Sequence, residues 1–506
     1  MPPYRVVLDR LDRGDRPGAL AALEAPGTDD PTAGESGPPT RILQLLRALL
    51  TQAPIRISAA NAEQEPPPGQ HEESRLLVTL ERAGSATLAL REGRVEDLVT
   101  DAAAAADASV PSRPWLTLYI GSLLQGAFRF TGDPMLRDRA LEQLSQVADR
   151  IEHPHLAISA RALMGTVHLM GGSYHAALDA CASAIALADA SGLASGPAVA
   201  LAHQFRGYVL FEWNRLQEAE DALARAWELA GPNGRGVRSG VARVRAAVAT
   251  ARADGAAAER WLDELERIVA EPMTLRNREW LAAVRVRARL GSGDLGALAD
   301  WLRTYDYRPE ELARSESRAL AARLHELEHL LAVLEGLGDW EALLATAPHL
   351  LRASGSLRHW YAVRALSAEA VALHALGRYG EAETRWSEAL TRGARGSFVR
   401  VYLEGDPRRL DLLHDAAHGT GAAVAQARRV HAATDPAPDP SALPPLSERQ
   451  RLVLSSLARG CSNKAIAREL GLSLSTVKTH LRALFVKLDA SSRTQALAHA
   501  RRRGLL

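Results

Sequence analysis

The sequence predicts an all-α protein: a solenoid of helical hairpins followed by a small four-helix domain. Three observations predict it. A turn carrying Gly, Asp or Asn, then an aromatic residue or leucine, then a small residue opening an amphipathic helix, recurs every 39 to 45 residues. β-Branched residues in alternating runs, the mark of strands, do not occur. The last 60 or so residues are cut into helix-sized pieces by their own Ser and Gly signals.

At 506 residues the chain is long enough for several domains and a large core, and its 47% hydrophobic and 24% charged content is that of a globular protein. Only Cys181 and Cys461 are available for thiol chemistry, and neither stands in a CxxC or Cys/His cluster, so a disulfide framework and a zinc site are not expected. No uncharged stretch approaches the ~20 residues of a membrane span, and the N-terminus has no apolar leader run. A reducing cytoplasm is the expected location.

The net charge of +1 conceals an asymmetry. From Leu446 onward twelve cations face Glu448, Glu469 and Asp489, a balance of +9, which leaves −8 for the preceding 445 residues. A basic tail on an acidic body points to a polyanion as the tail's partner. All three lysines, Lys464, Lys478 and Lys487, lie in that tail.

The domains follow in order. Residues 1–75 hold N-terminal helices, including one around Ile42 to Leu50, between Pro/Gly-rich loops at Pro26–Pro39 and Glu63–Ser74. Residues 76–432 carry the repeats. Their marker alanines are Ala177, Ala219, Ala258, Ala297, Ala342 and Ala382, with weaker copies at Ala19 and Leu98 and the Ala140 helix in the same phase. A helix-periodic stretch precedes each turn, and the small residue lets the two helices approach closely. Hairpins that cannot bury their faces alone stack into a solenoid. Residues 433–445, with five prolines from Pro436, form a linker. Residues 446–506 form the tail domain.

Within the tail, Ser447 caps a helix ended by Gly460, Ser462 caps one ended by Gly471, Ser473 caps a third to about Leu488, and Ser491 or Ser492 caps the last, to Arg503. Along the third, Val477, Leu481, Leu484, Phe485 and Leu488 share one face by 3.6-residue spacing; Ser475, Lys478, Thr479, Arg482 and Val486 share the other. His480 sits on the flank, open to a bond with a neighbouring helix or with a ligand. The short GLSLS connection has the form of a helix-turn-helix turn.

The tail, with its Gly-x-Ser-Asn-x-x-Ile-Ala, Leu-x-Leu-Ser-x-x-Thr-Val-Lys-x-His and Lys-Leu elements, resembles the LuxR-type DNA-binding domain. The repeat body resembles tetratricopeptide repeats, although its period is longer than their ~34 residues. The tail resemblance implies that the third helix enters the major groove of promoter double-stranded DNA. Lys478, Thr479 and Arg482 are then the expected base-contacting residues, and Asn463, Lys464, Ser475 and Thr476 the expected phosphate contacts. The residue types fit, because Lys and Arg donate to guanine O6 and N7, a Thr methyl meets thymine, and hydroxyls at a helix N-terminus suit phosphate. One departure is Gln450, where the family usually has an acidic residue; a salt bridge from there to Arg493 would become a neutral hydrogen bond.

Among LuxR-type regulators, a receiver domain needs strand–helix alternation and a functional lysine, and the body has neither. The chain is similar to the large maltose-activator-type regulators without their ATPase, since a GxxxxGK(S/T) phosphate loop requires a lysine and none precedes Lys464. GPNGRG at Gly231–Gly236 therefore reads as an inter-repeat turn. No catalytic constellation, cofactor or metal site stands out. The expected function is a DNA-binding transcriptional regulator, an activator, whose repeats receive a small-molecule or protein effector. Its other expected partners are a second copy of itself and RNA polymerase. The alternative is a protein-interaction scaffold tethered to DNA by its tail.

Overall fold

The computed structural model describes residues 3–13, 15–24, 38–51, 71–108, 112–150, 152–232, 234–269, 324–354, 359–417, 421–434, 448–459 and 461–470, together with Arg285, Gly296, Val477, Leu481, Leu484, Arg493, Ala496 and Leu497. The chain is all-α, and among the described residues no strand forms. It divides into two units, Met1–Val430 and His431–Leu506.

The first unit opens with helices Pro3–Asp12, Arg16–Glu24 and Pro38–Thr51, then runs as hairpins. These pair His71–Glu92 with Val95–Asp107, Pro114–Thr131 with Pro134–Ala148, Pro154–Met170 with Tyr174–Ala190, and Pro197–Glu212 with Leu216–Ala230. Arg235–Ala251 pairs with Gly255–Val269, Leu324–Leu337 with Trp340–Ser354, and His359–Ala375 with Tyr379–Gly393. Proline at the first helical position starts four of them, where its missing N–H costs nothing. Two expected loop limits move inward. Pro38 and Pro39 already lie in the first turn of a helix, and His71–Ser74 open another.

Five of the hairpin turns share one physical form. The amide of the residue that precedes the second helix reaches back five residues to a carbonyl of the first: Ser173 to His168 at 2.9 Å, Arg215 to Leu210 at 2.9 Å, Asp254 to Ala249 at 2.9 Å, Asp339 to Leu334 at 3.0 Å and Arg378 to Leu373 at 2.8 Å. Such a closure needs a left-handed residue just before it, supplied by Gly172, Asn214, Ala253, Gly338 and Gly377. Four residues into the next helix the side chain turns inward and is buried: Ala177, Ala219, Ala258 and Ala382, with Leu98 and Ala19 obeying the same rule. In the Trp340 helix the buried fourth residue is Leu343, not Ala342, which is only half-buried. There the alanine follows the turn glycine one residue sooner, so the marker slips out of phase. Ala297 lies outside the described residues.

Close helix approach depends on partners for these alanines. A Cβ on Gly207 would stand 2.7 Å from Leu223 Cγ and 3.2 Å from the Ala219 carbonyl, and one on Gly165 would stand 2.7 Å from Cys181 Sγ. Burial in that gap pushes the Cys181 thiol up to about 12, so it is an inert packing group.

After Gly393 the hairpin pattern stops. A 3-10 turn, Ala394–Gly396, leads through Ser397 to the short helix Arg400–Leu403, then Arg408–Ala416 and Ala422–Thr434. A fully buried ion pair holds this end: Arg409 donates to both oxygens of Glu335 at 2.6 and 2.8 Å and to the Val401 carbonyl at 3.1 Å, and the Asp406 amide donates to Glu335 at 2.8 Å. Burial pushes the Glu335 carboxyl up. The Arg409 charge and hydrogen bonds, with Arg364 and the Asp406 amide, outweigh it and hold the group below the usual carboxylate range.

Candidate nucleic-acid interface

Two helices of the second unit are described, Glu448–Ala458 and Asn463–Leu470. Both end where the Ser and Gly signals place them. Ser462 caps the second: its Oγ accepts from the Ala465 amide at 3.3 Å, and its carbonyl accepts from the Ile466 amide at 2.9 Å. Ile466 and Ala467 point into a core with Val453, Leu454, Leu457, Val477, Leu481, Leu484 and Ala496. Val477, Leu481 and Leu484 are thus buried at the spacing expected of the third helix's apolar face.

The cap fixes where the next side chains go. Asn463 is half-buried and Lys464 exposed in the first turn of the Asn463–Leu470 helix, where free backbone amides and a cationic side chain can meet an anion together. Arg468, one turn on, is exposed on the same side. It was not singled out from the sequence, although its i+4 spacing from Lys464 was the available signal. Ser475, Thr476, Lys478, Thr479, Arg482 and the flanking His480 lie outside the described residues.

Polar contacts brace the two helices. Arg459 pairs with Glu469 and donates to Ser456 at 3.1 Å. Arg493 donates to the carbonyls of Leu457 at 3.2 Å and Cys461 at 2.8 Å, so its guanidinium satisfies the C-terminal end of the first helix. The Gln450 side chain, the expected partner of Arg493, lies outside the described residues. Cys181 and Cys461 are both free thiols. Among the described residues no helix is long and apolar enough to cross a membrane, and no cluster of ligating side chains could hold a metal ion.

Comparison with known proteins agrees with this division. Residues 444–500 match the family of bacterial regulatory proteins named for LuxR, and residues 82–418 match the MalT-like TPR region. The chain belongs to the regulators that join a MalT-like TPR region to a LuxR-family helix-turn-helix domain. The HTH-type transcriptional regulator MalT of Yersinia pestis (strain Pestoides F) is 24% identical over 393 residues, covering 72% of this chain and 42% of that relative. The chain therefore spans less than half the length of the MalT proteins it matches.

Over the tail alone, YhjB of Escherichia coli (strain K12) is 49% identical over 63 residues, covering 12% of this chain and 32% of that protein. Transcriptional regulatory protein YdfI of Bacillus subtilis (strain 168) is 44% identical over 61 residues, covering 12% and 29%. The chain thus joins a MalT-like TPR region to a LuxR-family helix-turn-helix domain.

Proposed function

We propose that the tail binds promoter double-stranded DNA in the cytoplasm as part of a homodimer or larger assembly, and that the repeat body turns an effector signal into activation through RNA polymerase. The body is residues 76–432, following N-terminal helices in 1–75, and the tail, residues 446–506, is carried on a linker at 433–445. Lys464 supports the reading most directly: it is an exposed cation in the first turn of a helix whose cap is formed, within a tail of charge +9. Asn463, Lys464, Ser475 and Thr476 meet phosphates; Lys478, Thr479 and Arg482 meet base edges. The chain acts by binding rather than by catalysis, since it has no lysine with which to build a phosphate loop before Lys464.

Affinities measured on a selected site and on scrambled duplexes across a salt series separate these roles. Arg482→Ala or Lys478→Ala costs about 1–3 kcal/mol at the preferred site and less on scrambled DNA. Lys464→Ala weakens both duplexes alike and lowers the salt slope by about one unit. Equal loss on both duplexes for Arg482→Ala would remove that side chain from the base edges.

A further inference from the structure

The segment after the last hairpin does not leave the solenoid; it returns to hairpins some two hundred residues earlier. The Trp213 indole N–H donates to the Gly396 carbonyl at 3.0 Å, and the Val399 amide donates to the Glu212 carbonyl at 3.0 Å, the last residue of the Pro197–Glu212 helix. Arg400 donates to Asn214 Oδ1 at 3.2 Å, and His175 Nε2 lies 3.0 Å from Ser397 Oγ. Phe398, fully buried, sets its ring edge against Tyr174 with centroids 4.7 Å apart. His175 and Trp213 stand on successive hairpin turns with their rings 4.8 Å apart, so the returning segment is read by two turns at once.

The same few residues also face the other way. Arg429 donates to Ser397 Oγ at 2.9 Å and to Gln426 Oε1 at 3.1 Å, while Gln426 donates to the Phe398 carbonyl. Gln426 and Arg429 belong to helix Ala422–Thr434, which directly precedes the Pro-rich linker. The Ser397 hydroxyl is therefore shared between a turn of the middle repeats and the last helix before the linker. Among the described residues three non-glycines have positive φ, and two of them, Asn214 at 59° and Ser397 at 54°, meet at this joint. Left-handed backbone on a side-chain-bearing residue persists only where surrounding contacts enforce it. Freed of these contacts, Ser397 would relax and carry the segment with it.

We propose that residues 393–403 form a clasp that couples the turns at His175 and Trp213 to helix Ala422–Thr434, so that loosening either turn loosens that helix. This goes beyond DNA binding and stands without it, because both ends of the coupling lie in the repeat unit or its final helix. The test is hydrogen exchange of the full chain read by mass spectrometry. In the unaltered protein with increasing urea, amides of 394–403 and 422–434 should follow one shared opening that precedes exchange of the helices between 154 and 230.

Trp213→Phe removes one hydrogen bond and Ser397→Ala the two made by its hydroxyl, and each should speed exchange in both segments by roughly three- to tenfold. Ser183→Ala, which removes a comparable bond from Arg161 within the same hairpins, should leave both segments unchanged. Trp213→Phe speeding exchange in 394–403 alone would overturn the coupling. So would two segments in the unaltered protein that open at different urea concentrations, or only on global unfolding, and that measurement does not depend on any variant folding.

Discussion

The repeat body and the basic tail bury their side chains by different rules. In the body, close packing depends on small residues at fixed places: Gly165 and Gly207 in first helices, Ala177 and Ala219 in second ones, each hairpin leaning on its neighbours. In the tail, nine buried side chains make up the whole described core, drawn from both described helices and from Val477, Leu481, Leu484 and Ala496. A solenoid spreads the consequence of a lesion along a row of similar interfaces, whereas a tail of this size has one core to lose. Charge follows the same division. The body pairs arginines with acids along its helix faces, as Arg215 with Glu218 and Arg378 with Glu381, while the tail leaves Lys464 and Arg468 facing outward.

The largest expected effect tests whether the body has a weak point of its own. Arg409→Ala leaves Glu335 buried without its cation and should cost about 3–5 kcal/mol in urea unfolding, whereas replacing both residues by apolar ones of similar size should recover most of that loss. The pair also sets a pH response. Because the Glu335 carboxyl is held below its ordinary value in the folded state, its contribution is complete above the ordinary carboxylate range and disappears as pH falls through the lowered value. Acid titration of unfolding should show that slope in the unaltered protein and not in the doubly apolar variant.

Next in size, Leu457→Ala removes a fully buried side chain from the tail core and should cost about 2–5 kcal/mol. Limited proteolysis should then cut the tail readily while body fragments persist; a tail as resistant as before would mean its core is not the single unit inferred here. Gly207→Val drives a branched side chain against Leu223 and the Ala219 carbonyl, for a loss of about 1–3 kcal/mol. Thermal unfolding that is unchanged would mean the hairpin can open without cost, against the close approach read from Gly207. The smallest change is Ser462→Ala, which removes the cap of the helix that carries Lys464 and should cost about 1 kcal/mol. Its signature is a loss of DNA affinity at every sequence smaller than that of Lys464→Ala.

Much of this molecule was legible one residue at a time. Local signals act over a few residues and do not need the rest of the chain: Ser462 caps its helix, Gly172 and Gly377 close their turns with left-handed backbone, and the tail's apolar spacing places Val477, Leu481 and Leu484 inside. Where the signal was a marker residue rather than a spacing from the turn, it misled, as at Ala342, because burial follows position in the helix and not residue type. Loops read from composition ran too far at Pro38 and His71, since proline and acidic residues also begin helices.

The sequence by itself determined the all-α class, the hairpin period, the basic tail and its Ser462 cap, because each depends on near neighbours along the chain. Only the tertiary structure decided that Arg409 finds Glu335, that Arg493 satisfies the carbonyls of Leu457 and Cys461, and that Phe398 and Ser397 return to Tyr174 and His175. Those pairings join residues far apart in sequence. Within the body they depend on how successive small rotations between hairpins accumulate, a quantity to which every hairpin contributes and which no short stretch of residues encodes.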